Sequence, residues 1–231
     1  MKDLHRAHMS KQVKMPATAG TTLPKVDPSD PEVVDRRGQK EYRGLVGQLP
    51  HMASLSRPEI SNAVREISRH GHCCTSKHLK AAKKIAAYVW QTPKRGWTLN
   101  PTRKWDGKTK DFLFKVSGKS DSNYATCAST RKSVTGYVVY LEDAPVAVKS
   151  LMQQIIALSV TEVELIALVQ CVQEMFFVKK VLESMGLKVE LPMTIECDNK
   201  GAVDLVNGHG VGGNTKHIDV RILHVRGFDN T

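Results

Sequence analysis

Three acidic residues in this 231-residue chain stand where a protein can place chemistry. Asp121 follows a strand-like run, 111–118 (DFLFKVSG), and opens the stretch DSNYAT. Asp198 follows a second such run, 189–197 (VELPMTIEC), and precedes Asn199 and a short helix expected at 200–206. Side chains at strand ends project from a rigid sheet, which suits metal ligands. The third acid lies in a long apolar helix expected at about 160–185, where two glutamates compete. Ser159 and Glu162 have the S-x-x-E spacing of a capping box, so Glu162 is expected to reach back to the Ser159 N–H. Glu164 has no such duty. It lies on the flank of the face that packs on the sheet, where a carboxylate is costly unless paired or bound to a cation. Asp121, Glu164 and Asp198 together could hold two Mg²⁺ or Mn²⁺ ions roughly 3.5–4 Å apart, an arrangement that activates a water for phosphodiester hydrolysis. Oxygen donors without a Cys/His cluster favour these ions over zinc. Taken singly, each acid reads more simply as a cap or turn former.

These acids need a frame. After residue 95 the pattern turns β-like, with runs at 96–99, 111–118, 133–141 and 144–149 before the long helix, the 189–197 strand and the short helix. A further helix is expected at 215–226, after a Gly-rich loop from His209 to Asn214. Strands followed by helix, strand and helix make a mixed α/β sheet covered by helices. Residues 41–92 read as helical. Ile60, Ala63, Val64 and Ile67 recur at helical spacing, and Pro58 suits a first turn. Ser76 is the expected N-cap of a helix over 76–92. One face of that helix carries Leu79, Ala82, Ile85, Ala86 and Val89, and another carries Lys77, Lys80, Lys83 and Lys84. Residues 1–40, with four prolines and few large apolar residues, read as a linker or wrapping segment.

The net charge of +11 is unevenly spread. Residues 1–110 hold 22 Lys/Arg against 9 Asp/Glu, whereas residues 111–231 hold 12 against 14. A basic half beside a near-neutral half fits a chain whose first part holds a polyanion, although lysine-rich helices can equally be solvated faces. No run of apolar residues is long enough to span a membrane, and the first residues lack the apolar core of a secretory signal. Five cysteines without framework spacing fit a reducing compartment. The HGHCC stretch at 70–74 lacks zinc-site spacing. Cys127, Cys171 and Cys197 read as small buried residues.

The residues also resemble a family. YRGLVGQLPHMASLSRPEISNAV (42–64), SKHLKAAKKIAAYVWQT (76–92), SDSNYAT (120–126), STRKSVTGYVVYL (129–141), ALSVTEVELIAL (157–168), IECDNKGAVDL (195–205) and TKHIDVR (215–221) resemble, in order, motifs of the C-terminal part of the Pol polyprotein of copia-type LTR retrotransposons. The resemblance implies a helical, thumb-like reverse transcriptase connection at 41–110 and a ribonuclease H-like domain at 111–231. It places the family's first three metal-binding acids on Asp121, Glu164 and Asp198. The implied activity is Mg²⁺- or Mn²⁺-dependent hydrolysis of the RNA strand of RNA–DNA hybrids. Lys77, Lys80, Lys83 and Lys84 would lie against the nucleic acid, and the reverse transcriptase palm of the same polyprotein would be a partner. The setting would be intracellular, cytoplasmic in a virus-like particle or nuclear. Departures from the family pattern are visible. The polymerase Y-x-D-D motif is absent, so no polymerisation is expected. The family's fourth acid lies in an A-D-x-x-T-K segment that this chain does not reach, so the domain reads as C-terminally truncated, with Asp219 as a weak substitute ligand. Asn123 and Tyr124 replace an acid and a tryptophan, and Pro50 is expected to interrupt a normally helical segment. The alternative expectation is a catalytically impaired nucleic-acid-binding remnant.

Overall fold

The computed structural model describes residues 12–18, 22–109, 111–127 and 130–207. The chain divides into two compact units, one comprising the described residues up to Trp97 together with Cys127, the other Thr98–Thr126 and the described residues from Thr130. Residues 98–110, grouped with the helices on sequence grounds, thus go with the second unit.

The first unit is helical. Helix α1 is Arg36–Leu55, beginning before the expected residue 41 because Asp35 caps it, its side chain accepting from the Gly38 N–H. A 3-10 turn, Pro58–Ile60, leads into α2, Ser61–Ser68, and α3 is Ser76–Gln91. Pro50 does not interrupt α1. Leu45, Leu49 and Ala53 recur every four residues as one buried stripe, and their packing outweighs the hydrogen bond that a proline cannot donate. The N-cap of α3 is Thr75 rather than Ser76. Tyr42, Leu45, Leu49, Ile60, Ile67, Ile85 and Tyr88 fill the core, and the Tyr42 hydroxyl donates to the Ile67 carbonyl at 2.6 Å.

The N-terminal segment wraps this unit through its backbone. The Val13 N–H donates to Gln91, the Leu23 N–H donates to Glu66, and the Val34 N–H donates to the Cys74 carbonyl. Val13 itself is buried, so the segment adds to the core. No strand forms at 96–99, where the Trp97 N–H donates to the Ser56 carbonyl rather than to a neighbouring strand.

The second unit carries the sheet. Its strands are β1 (Leu113–Phe114), β2 (Val116–Asn123), β3 (Val134–Leu141), β4 (Ala144–Met152), β5 (Lys188–Val189) and β6 (Thr194–Cys197), with helices α4 (Val160–Ser184) and α5 (Lys200–Val206). β2, β3 and β4 form an antiparallel meander, and β6 joins the free side of β2 in parallel, giving the order β4–β3–β2–β6. β1 and β5 make a separate parallel pair. The expected strand at 189–197 is therefore split in two, with Pro192, which cannot donate to a ladder, between the pieces. The architecture is mixed helix and sheet, an α/β arrangement.

Helix α4 packs on β2 and β3 through Val116, Tyr137, Val139, Cys171, Met175 and Leu182. The contact is closest at Gly118, where an added Cβ would lie 2.7 Å from both Cys171 Sγ and Met175 Sδ. Gly118→Ala is expected to destabilise the chain by about 1–3 kcal/mol through overpacking. A lowered urea midpoint with an unchanged m-value would report that loss, and an unchanged midpoint would show that α4 yields freely.

Candidate functional site

The parallel pairing of β2 and β6 sets Ser120 opposite Cys197. Asp121 is the next residue of β2, inside the strand and two residues before its end at Asn123 rather than beyond the strand as expected, and Asp198 follows the last residue of β6, so the register sets the two acids on adjacent chains. Asn199 then caps α5, its side chain accepting from the Ala202 N–H at 2.9 Å, which fixes the chain immediately after Asp198. Glu164 comes from the first turns of α4, on the face toward the sheet. That turn is held by Ser159, whose hydroxyl accepts from the Glu162 N–H. The Glu162 carboxylate accepts from the Leu158 N–H at 2.9 Å, one residue before the expected partner. Glu162 is thus occupied with the helix start, and Glu164 is free to face the strand ends.

Glu164, Cys197 and Asp198 come together, with one ligand atom from each lying within 4.8 Å of the others. Asp121 is outside that set. The alternation of β2 buries Val116, Gly118 and Ser120 and turns Lys119 and Asp121 outward. Its charge still reaches Glu164. Glu164 is 4% exposed, and its Oε2 has no hydrogen-bond partner. Burial holds its carboxyl above the usual carboxylate range, and the negative charges of Asp198 and Asp121 push it the same way. Hydrogen bonding from Ser122 acts in the opposite direction and offsets only part of this. A buried carboxylate facing two further acids is a site with surplus negative charge and oxygen donors, which a divalent cation would neutralise.

Cys197 is the neighbour that sequence reasoning missed. It is half-buried rather than buried, with Ser120, Glu164 and Asp198 around its thiol. The only signal in the sequence was its place immediately before Asp198. Cys127 and Cys171 are buried as expected. Asp219, His217 and the 209–214 loop lie outside the described residues, as does the helix expected at 215–226. The HGHCC residues join no set of potential metal ligands among the described residues.

The lysine face of α3 is partly engaged. Lys77 pairs with Glu32 at 3.2 Å and Lys83 with Glu41 at 2.9 Å, while Lys84 donates to Thr18 Oγ1 at 3.4 Å. Lys80 is exposed. Such surface pairs contribute about 0–1 kcal/mol each, so a phosphate backbone could displace them. No helix among the described residues is long and apolar enough to cross a membrane.

No protein-family model and no solved structure matches the chain. It is 32% identical over 186 residues, 80% of its length, to the retrovirus-related Pol polyprotein from transposon RE1 of Arabidopsis thaliana. It is 30% identical over 218 residues, 94% of its length, to that from transposon RE2 of the same plant. It is 32% identical over 199 residues, 85% of its length, to that from transposon TNT 1-94 of Nicotiana tabacum. The chain spans only 12, 13 and 14% of these three relatives, respectively. Over most of its own length, the chain is a homologue of the retrovirus-related Pol polyproteins of plant transposons.

Proposed function

We propose that the second unit is a ribonuclease H-like nuclease domain of a copia-type Pol polyprotein and that it hydrolyses the RNA strand of RNA–DNA hybrids. The observation that carries this reading is the buried Glu164 carboxylate, one oxygen unpartnered, set beside Asp198 and within the electrostatic reach of Asp121. The antiparallel meander with a parallel strand beside β2 and a long helix on its face also supports it. When bound, two Mg²⁺ or Mn²⁺ ions supply an activated water and stabilise the leaving oxygen. Asp121, from within β2, and Asp198, from just after β6, would hold ions, and Glu164 would complete the ligands from the helix. Hard carboxylate oxygens fit these cations.

In the same proposal, Lys80 and the displaceable Lys77, Lys83 and Lys84 contact the phosphate backbone. That makes binding strongly salt-dependent. The RNA strand is told from DNA by its 2′-hydroxyls. Other Pol domains, the reverse transcriptase palm among them, are the expected partners, in an intracellular setting. The expected result with the purified chain is cutting of the RNA strand in a hybrid duplex, none of double-stranded DNA, and complete loss in EDTA with recovery on adding Mg²⁺. Cutting that survives the chelator, or equal cutting of double-stranded DNA, would overturn the proposal. Hybrid binding without any cutting would identify a binding remnant instead.

A further inference from the structure

Cys197 places a soft sulfur donor among hard oxygens, and a Mg²⁺ site has no use for it. Magnesium is bound through oxygen, whereas zinc and cobalt accept thiolate and carboxylate together. Glu164, Cys197 and Asp198 each offer one donor atom within 4.8 Å of the others. In a tetrahedral zinc site with bonds of about 2.0–2.3 Å, donor atoms sit roughly 3.5 Å apart. Closing the set therefore needs side-chain movement of about an ångström, and Asp198 is exposed and able to supply it. The Glu164 oxygen without a partner is 96% buried with the rest of its residue and belongs to a carboxylate of this set, so the site already holds an unsatisfied donor.

We propose that Glu164, Cys197 and Asp198 form a thiolate-containing site for a zinc-class cation, with water as the fourth ligand, and that its occupation blocks the nuclease site. The blocking part rests on the nuclease reading, because it assumes that Glu164 and Asp198 also hold the catalytic ions. The metal site itself does not depend on that reading. A zinc ion held by Cys197 would take both acids out of the Mg²⁺ arrangement, so zinc would inhibit in the presence of excess magnesium.

The test uses Co²⁺ as a spectroscopic substitute for zinc on the full chain. A thiolate-to-cobalt charge-transfer band is expected in the wild type. It should be lost in Cys197→Ser and Cys197→Ala, and retained in Cys73→Ser. Zinc should displace the cobalt, and its affinity should fall about tenfold or more in both Cys197 variants. Circular dichroism shows whether the variants remain folded, and two variants guard against one that does not. Absence of the band in the wild type, or its survival in both folded Cys197 variants, would overturn the site. Zinc titrated into the hybrid cleavage assay then tests the blocking role: undiminished cutting by zinc-loaded chain would overturn that part. A chain that shows the cobalt band but never cuts a hybrid would keep the metal site and refute the nuclease reading, so the two failures are separable.

Discussion

Glu164→Gln is expected to raise the thermal stability of the metal-free chain and, in the same protein, to remove hybrid cleavage. The two effects have one cause. In the folded chain Glu164 is buried, has an unpartnered oxygen, and faces the charges of Asp198 and Asp121. An unsatisfied buried acceptor costs about 1–3 kcal/mol, and more when charged. Glutamine keeps the shape, removes the charge and supplies an N–H that can donate toward Asp198, so the unfolding temperature should rise by a few degrees. The neutral amide is a poorer ligand for a hard cation, so cleavage should fall by at least about 10²-fold. Mg²⁺ should raise the melting temperature of the wild type by mass action and that of the variant much less. Asp198→Asn separates the roles. Asp198 is exposed, so its loss should reduce cleavage similarly with little gain in stability. A Glu164→Gln chain that cuts like wild type, or one that melts lower, would show that Glu164 is a structural carboxylate with an unseen partner.

Glu164 and Asp198 were legible in the sequence because each lies near a boundary that local pattern marks, whereas Asp121 lies inside β2 rather than after it. S-x-x-E announces the start of α4 and assigns Glu162 to it, leaving Glu164 spare. The run ending at Cys197 followed by Asn199 marks a strand giving way to a capped helix. The place of Cys197 was not legible, because it depends on the register that sets Ser120 opposite Cys197 across a parallel pair 77 residues apart in the chain. Side-chain alternation along one strand carries no information about its partner's register. The outward turn of Asp121 has the same origin, since only the packing of α4 on Gly118 decides which face of β2 is inside.

The expectations that failed did so where tertiary contact overrides local preference. Pro50 is carried through α1 by a buried leucine stripe. The expected strand at 96–99 gives its hydrogen bond to the Ser56 carbonyl. The turn between β3 and β4 likewise rests on contacts from outside it. Glu142 and Asp143 both adopt positive φ, a conformation that favours Asn-Gly rather than these residues. The turn is held by Glu142, whose carboxylate accepts from Arg103 Nε at 2.7 Å and from the Lys115 N–H at 2.7 Å.

Acidification from pH 6.5 to 4 is expected to strip stability from the first unit through two buried histidines. His70 and His78 lie in contact, with ring centroids 4.3 Å apart and the rings tilted 57° to each other. His78 Nε2 meets the Pro24 carbonyl at 3.0 Å, and a carbonyl only accepts, so Nε2 carries the proton. Its Nδ1 then accepts from the Thr75 N–H, holding the start of α3 while Nε2 holds the wrapping segment. A second proton on Nδ1 would cost the bond from the Thr75 N–H and leave only the Thr75 hydroxyl oxygen, 2.7 Å away, to accept from it, weakening the cap. Burial pushes the His70 imidazole down from 6.5 to about 4, with His78 and Arg69 adding repulsion and Glu66 opposing it. His78 is lowered as well, chiefly by burial, with Lys77 adding to it and Glu66 and the Pro24 carbonyl opposing. Both groups therefore favour the neutral form in the folded state. Their contribution is complete above the unfolded-state value near 6.5 and is lost as pH falls through the folded value. Carboxylates also titrate in this range, so the informative quantity is the difference between wild type and His70→Phe, a replacement that keeps a ring against His78 and cannot charge. Urea midpoints should nearly coincide at pH 7.5 and diverge below pH 6, with the variant the more stable at pH 4.5. Parallel loss in both proteins would show that His70 is reached by water and titrates as an ordinary surface histidine.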